Sequence, residues 1–175
     1  CGSCAGVCPT GAATYAVPPG EVLLLRLRTL LGTYLKAGGQ DPVVLLHDTR
    51  HGEELIGLAA RFGRGLPARV LPFAVNEVTQ IGIDFLAAAF AYGAGALTVL
   101  VPPARRDEID SLGGQIAMAE TALEGLGYGT GRIAVIDETD PEAVAAMLYR
   151  LDPLPAIAPG DFLPMGGKRE ITLLA

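Results

Sequence analysis

The residues best equipped for chemistry open the chain, in Cys1-Gly2-Ser3-Cys4-Ala5-Gly6-Val7-Cys8-Pro9. Their spacing is C-x2-C-x3-C-P, and it uses all 3 cysteines of the protein. None is left for a core position or a disulfide framework. Thiolates are soft ligands, and several of them on short loops can converge on one small volume, as a cubane iron–sulfur cluster requires. Zinc is a competing use, because two close cysteines plus a third can hold that ion. Incidental thiols are the plainest reading. In a ligand loop, Gly2 and Gly6 are expected to supply unusual backbone torsions and Pro9 to stop the chain from folding back.

This spacing resembles the last three ligands of the bacterial ferredoxin run C-x2-C-x2-C-x3-C-P. Cys8-Pro9-Thr10-Gly11-Ala12 looks like the continuation of that run in those proteins. The resemblance implies that Cys1, Cys4 and Cys8 are 4Fe-4S ligands, Cys8 being the one that serves the other cluster of a two-cluster module. The first cysteine of the run would lie upstream of Cys1. The chain therefore reads as a piece of a longer iron–sulfur protein, with the cluster incomplete or absent in the piece itself. Neither the C-P ending nor the Thr-Gly-Ala extension is a zinc-ribbon feature, which favours iron.

Composition narrows the setting. The chain has 175 residues, 50% of them hydrophobic and 18% charged, so it should be globular, with a sizeable core. A net charge of −6, no tryptophan and no basic run argue against nucleic-acid binding. No apolar stretch reaches membrane-spanning length, since Arg26 and Arg28 interrupt the run from Val22 to Leu35. Clustered, metal-spaced cysteines favour a reducing compartment, with the cytoplasm as the default.

The elements that must carry the thiols can be read in order. Residues 1–17 form the ferredoxin-like end, and Pro18-Pro19-Gly20 opens a linker and helix over 18–41, the helix running from Glu21 to Lys36. From 42 to 151 strands and helices alternate. Strands are expected at 43–47, 68–73, 96–101 and 132–137. Helices are expected at 51–62, from a cap at Asn76 to Tyr92, from Arg105 to Leu126, and from Asp140-Pro141 to Arg150. Short connections of this kind demand parallel strands. The expected class is α/β, a small doubly wound, flavodoxin-like parallel sheet of about four strands. Residues 152–175 form a proline-rich extended surface loop and then the beginning of a helix at Lys168-Arg169-Glu170, so the chain reads as cut at that end too.

Residues 43–150 resemble the delta-subunit domain of methyl-viologen-reducing hydrogenases, which is also fused into heterodisulfide reductase and related complexes. The likeness lies in Val43-Val44-Leu45-Leu46-His47-Asp48, in Ala68-Arg69-Val70-Leu71-Pro72-Phe73, and in the run from Phe85 to Val101 with its Gly93-Ala94-Gly95 turn. That family carries cluster-binding cysteines at the strand ends. Here those places hold His47-Asp48, Phe73 and Val101-Pro102-Pro103. The resemblance implies a shared scaffold, and partners among iron–sulfur or flavin redox proteins of the hydrogenase, heterodisulfide reductase or formate dehydrogenase type. It implies no cluster in this lobe.

A competing function is a small-ligand or flavin site at the carboxyl edge of the sheet, built from His47, Asp48, His51 and Asn76 with Pro102 beside them; the cluster His47, Asp48, Arg50 and His51 could also form an anion pocket or a weak metal site. A purely structural interaction module is a further alternative. The bland account gives Asp48 and Thr49 to helix capping and leaves Arg50 and His51 to solvent. Asn76 likewise needs no role beyond a cap, and Arg105-Arg106-Asp107-Glu108 reads as a solvated helix start. No G-x-G-x-x-G, P-loop or G-x-S-x-G motif is present, so nothing argues for stand-alone catalysis.

Overall fold

A computed structural model describes residues 2–164 and 166–175, Leu174 by its backbone alone. Cys1 lies outside the described residues. Four parallel strands, β1 (Val43–Asp48), β2 (Val70–Val75), β3 (Ala96–Leu100) and β4 (Ile133–Ile136), lie in the order β2-β1-β3-β4. Val43 of β1 sits opposite Val70 on one side and Ala96 on the other, and Leu97 of β3 opposite Ile133. This is the doubly wound, flavodoxin-like α/β fold, and the expected class holds.

The helices are α1 (Ser3–Val7), α2 (Gly20–Lys36), α3 (His51–Phe62), α4 (Ile83–Ala91), α5 (Ile109–Gly125), α6 (Pro141–Arg150) and α7 (Lys168–Leu174). Every residue of β1 is buried, as a strand covered on both faces requires. Period-two alternation divides its side chains. Val44 and Leu46 join Leu27 and Leu31 of α2, Phe85 and Leu86 of α4, and Leu112 and Leu123 of α5. Val43 and Leu45 point the other way, to Leu55 of α3 and Val144 and Leu148 of α6. Each such leucine contributes about 1.5–3 kcal/mol through removal from water. Among the described residues no helix is long and apolar enough to cross a membrane.

Several boundaries differ from the sequence reading, for identifiable reasons. Asn76 does not cap a helix. Residues Val78–Gln80 form a single 3-10 turn that buries Val78 and Thr79, and α4 starts only after Gly82. The Ile83 amide is satisfied by Gln115 Oε1 of α5 at 2.9 Å, so a tertiary contact does what a local cap would have done. The expected helix from Arg105 begins instead as a 3-10 segment, Pro103–Glu108, and becomes α-helical at Ile109. Asp140 caps α6 as read, its carboxylate accepting from the Ala143 amide at 2.8 Å.

The proline-rich tail has no regular structure, yet it is not a free surface loop. Ile157 is buried, Phe162 stacks on Tyr92 with centroids 4.7 Å apart, and the Gly160 amide donates to Ala91 O at 2.7 Å. It then delivers α7 to α4, where Ile171 is buried in the core.

Candidate functional site

Cys4 lies on α1 and is exposed; Cys8 is the residue at which that helix ends, and it is partly exposed. They stand four residues apart, the spacing that brings side chains to one face of a helix. After Pro9 and Thr10 the chain reverses at Gly11, whose φ of +72° belongs to the left-handed region that glycine enters freely. The reversal folds the backbone back around Cys8. Its sulfur receives the Ala13 amide, the Thr10 hydroxyl at 3.6 Å, and the amides of Thr10 and Ala12. Donors aimed at sulfur favour the thiolate, and they pull the Cys8 pKa from 9.0 to about 6.

A pH prediction follows from that value. Alkylation of Cys8 by iodoacetamide, read by peptide mass spectrometry on metal-free protein, is expected to rise with a midpoint near pH 6, far below the ordinary 9.0. Because the folded value is depressed, the stabilisation it represents is complete above the ordinary value and is lost as pH falls through about 6. A midpoint at the ordinary thiol value would mean that the amides do not reach the sulfur.

The short helix is held by close approach of backbone, not by unusual torsions. Gly2 has φ −89° and ψ −28°, and Gly6 lies within α1, so the torsional role expected for these glycines is corrected. A Cβ on Gly2 would come 2.5 Å from Gln80 N, and one on Gly6 2.7 Å from Thr79 O. Across the contact, a Cβ on Gly82 would meet Gly6 O at 2.4 Å. Glycine at all three positions lets α1 lie directly on the 3-10 turn and its exit.

The start of α1 is tied to the carboxyl edge of the sheet. Ser3 Oγ donates to Glu108 Oε2 at 3.2 Å. Arg105 donates twice to the Glu77 carboxylate, both at 2.8 Å, and once to Glu108 at 2.9 Å. Glu77 raises the Arg105 pKa through these bonds. Arg105 is therefore the hub of a part-buried ion-pair cluster and not a solvated helix start, while Arg106 pairs with Asp137 at 2.7 Å. The Asn76 amide donates to Val17 O at 2.7 Å, adding another tie between the first residues and the domain.

Of the other candidate residues, His47 and Asp48 are occupied locally, whereas His51 is not left to solvent: it is half-buried and its Nε2 has no hydrogen-bond partner among the described residues. His47 is buried, and its Nδ1 donates to Asp48 O at 2.9 Å. The Asp48 carboxylate accepts from the Gly52 amide at 2.6 Å and the His51 amide at 3.3 Å, so it satisfies the first two amides of α3 from two residues ahead of the N-cap position, Arg50; Thr49 is exposed. Among the described residues no three His, Cys, Asp or Glu side chains converge as metal ligands, so His47, Asp48 and His51 do not form such a set. A cavity of about 370 Å³ lies between Tyr15, Leu24, Phe85 and Lys168, and another of about 440 Å³ between α3 and α6. Neither is lined by His47, Asp48, His51 or Asn76.

Sequence reasoning missed Gly82, Glu108 and Lys168. No local signal marks them, because each acts on α1 from a distant part of the chain. No protein-family model and no curated protein matches this chain.

Proposed function

We propose that this chain is part of an iron–sulfur electron-transfer protein, related in form to ferredoxins, in which Cys1, Cys4 and Cys8 are thiolate ligands. The observation that carries the reading is the loop after Cys8, which turns three backbone amides and a hydroxyl toward one sulfur at the end of a C-x2-C-x3-C-P sequence. Hydrogen bonds to ligand sulfur are one of the means by which a protein sets cluster potential. The exposed Cys4, one helical turn away, fits a ligand that reaches outward from α1. These features fit a thiolate-bound cluster better than incidental thiols, which have no need of converging donors.

A bound 4Fe-4S cluster supplies reversible one-electron chemistry. The chain's own part is to hold and orient. Cys4 and Cys8 present thiolates, the amides of Thr10, Ala12 and Ala13 offset charge on the Cys8 sulfur, and the contacts of Gly2, Gly6 and Gly82 fix α1 on the domain. The α/β lobe then serves as a docking scaffold toward redox partners of the hydrogenase, heterodisulfide reductase or formate dehydrogenase type, in the cytoplasm.

The test uses the natural chain that contains this sequence, purified without oxygen. Iron and sulfide per chain are counted and the dithionite-reduced EPR spectrum recorded. Cluster-level iron with a reducible cubane signal is expected, and Cys4→Ser or Cys8→Ser should each diminish it. Iron-free protein, or zinc in its place, overturns the reading.

A further inference from the structure

We infer that Lys168 is the positioning residue of the cysteine loop: from the start of α7 it fixes the backbone between Cys4 and Cys8 on the α/β domain, and so sets where the two thiolates stand. The inference rests on the electron-transfer reading only for what those thiolates hold.

Lys168 Nζ donates to Ala5 O at 2.6 Å and to Gly6 O at 2.7 Å. It lies 3.4 Å from Asp84 Oδ1, and its side chain is only 10% exposed. An ammonium has three protons. Two go to carbonyls at the end of α1 that have no partner within the helix, and the third side faces a carboxylate in the first turn of α4. A cation this buried is costly unless it is so matched.

The clamp has a reason to exist. The 5 residues of α1 are far too few to hold a helix on their own. Its order must come from docking. Ser3 ties its start to Glu108, the glycine contacts seat its middle, and Lys168 closes its end. Helix α7 does not need those bonds for its own attachment, since Ile171 already anchors it in the core. Lys168 bonds the two residues that directly follow Cys4 and come just before Val7 and Cys8. A shift of that turn moves both thiols together.

The test takes the full chain, metal-free, as wild type and as Lys168→Met, Lys168→Arg and Asp84→Asn. Methionine keeps the apolar stem and removes the donors. One reading is made: hydrogen exchange of residues 3–8 against β1 and β3. Loss of two charged hydrogen bonds is expected to speed exchange in residues 3–8 about ten-fold or more through local opening. Protection should vanish in α1 and persist in β1 and β3. Arginine should restore most of it, and Asp84→Asn should stay near wild type because the carbonyl bonds remain. Wild-type exchange of residues 3–8 in Lys168→Met overturns the inference. So does loss of protection in β1 and β3 together with α1, which would make Lys168 a general stability residue. Equal release by Asp84→Asn also overturns it, by assigning the hold to the ion pair. Iron missing from every reconstituted sample would sink the electron-transfer reading, while the exchange contrast would still decide the clamp.

Discussion

Arg132→Met is expected to lower the unfolding free energy by about 4.5 kcal/mol, taking about 1.5 kcal/mol for each hydrogen bond from a charged donor. Arg132 is a buried cation held by carbonyls. Its Nε donates to Tyr128 O at 2.9 Å, and its Nη1 to Gly95 O at 2.7 Å and Pro155 O at 3.1 Å. Among the described residues it has no carboxylate partner. Those carbonyls belong to the exit of α5, the turn before β3 and the proline-rich tail, three segments that the sheet alone does not join. Methionine fills the space and leaves the oxygens without donors, which is where the cost arises. A lysine ammonium would serve only a part of what the guanidinium fork serves, so Arg132→Lys should recover less than half. Urea unfolding checks this, with an unchanged slope and a lower midpoint. A loss under about 1 kcal/mol would mean that the carbonyls find other donors.

Gly82→Ala should release the cysteine helix without unfolding the sheet. Its backbone, φ −115° and ψ −178°, is open to any residue, so the effect is one of space and not strain. The new methyl group would stand 2.4 Å from Gly6 O, 2.7 Å from Lys168 Nζ and 2.8 Å from Asp84 Oδ1. Backbone oxygen cannot swing aside as a side-chain end can, so α1 must move. Overpacking of this kind costs about 1–3 kcal/mol. At the upper end that exceeds what the contacts of a short helix can hold, and hydrogen exchange of residues 3–8 should speed up about ten-fold or more. Gly57→Ala is the control: nothing lies within 4 Å of its added Cβ, it sits inside α3, and it should stabilise by about 0.5–1 kcal/mol. Equal behaviour of the two variants would show that α1 does not depend on the close contact.

The fold was largely legible because its signals are local. Val43 to Leu46 is an uninterrupted apolar run, and Asp140-Pro141 writes its own helix start. Where tertiary partners replace local ones, the reading failed. Asn76 looks like a cap, but its amide serves Val17, and Gln115 from α5 caps the next helix instead. Gly2 and Gly6 look like torsional glycines; what they need is room against residues 79–81. The thiols were visible from spacing, whereas the amides that gather at Cys8 depend on the reversal at Gly11, and the lysine that holds their helix lies beyond the entire α/β domain.

That last bond, from Lys168 to Ala5, joins residues 163 positions apart in the chain. Closing so long a loop in an unfolded chain costs entropy that no single hydrogen bond recovers. Once the sheet and its covering helices have formed, most of that distance has already been closed, and only short segments remain to be placed. On that ground the sheet and its covering helices are expected to assemble first and the cysteine turn last. The same order in reverse makes that turn the first part to open, so the two thiols can be repositioned in a folded protein with the core untouched.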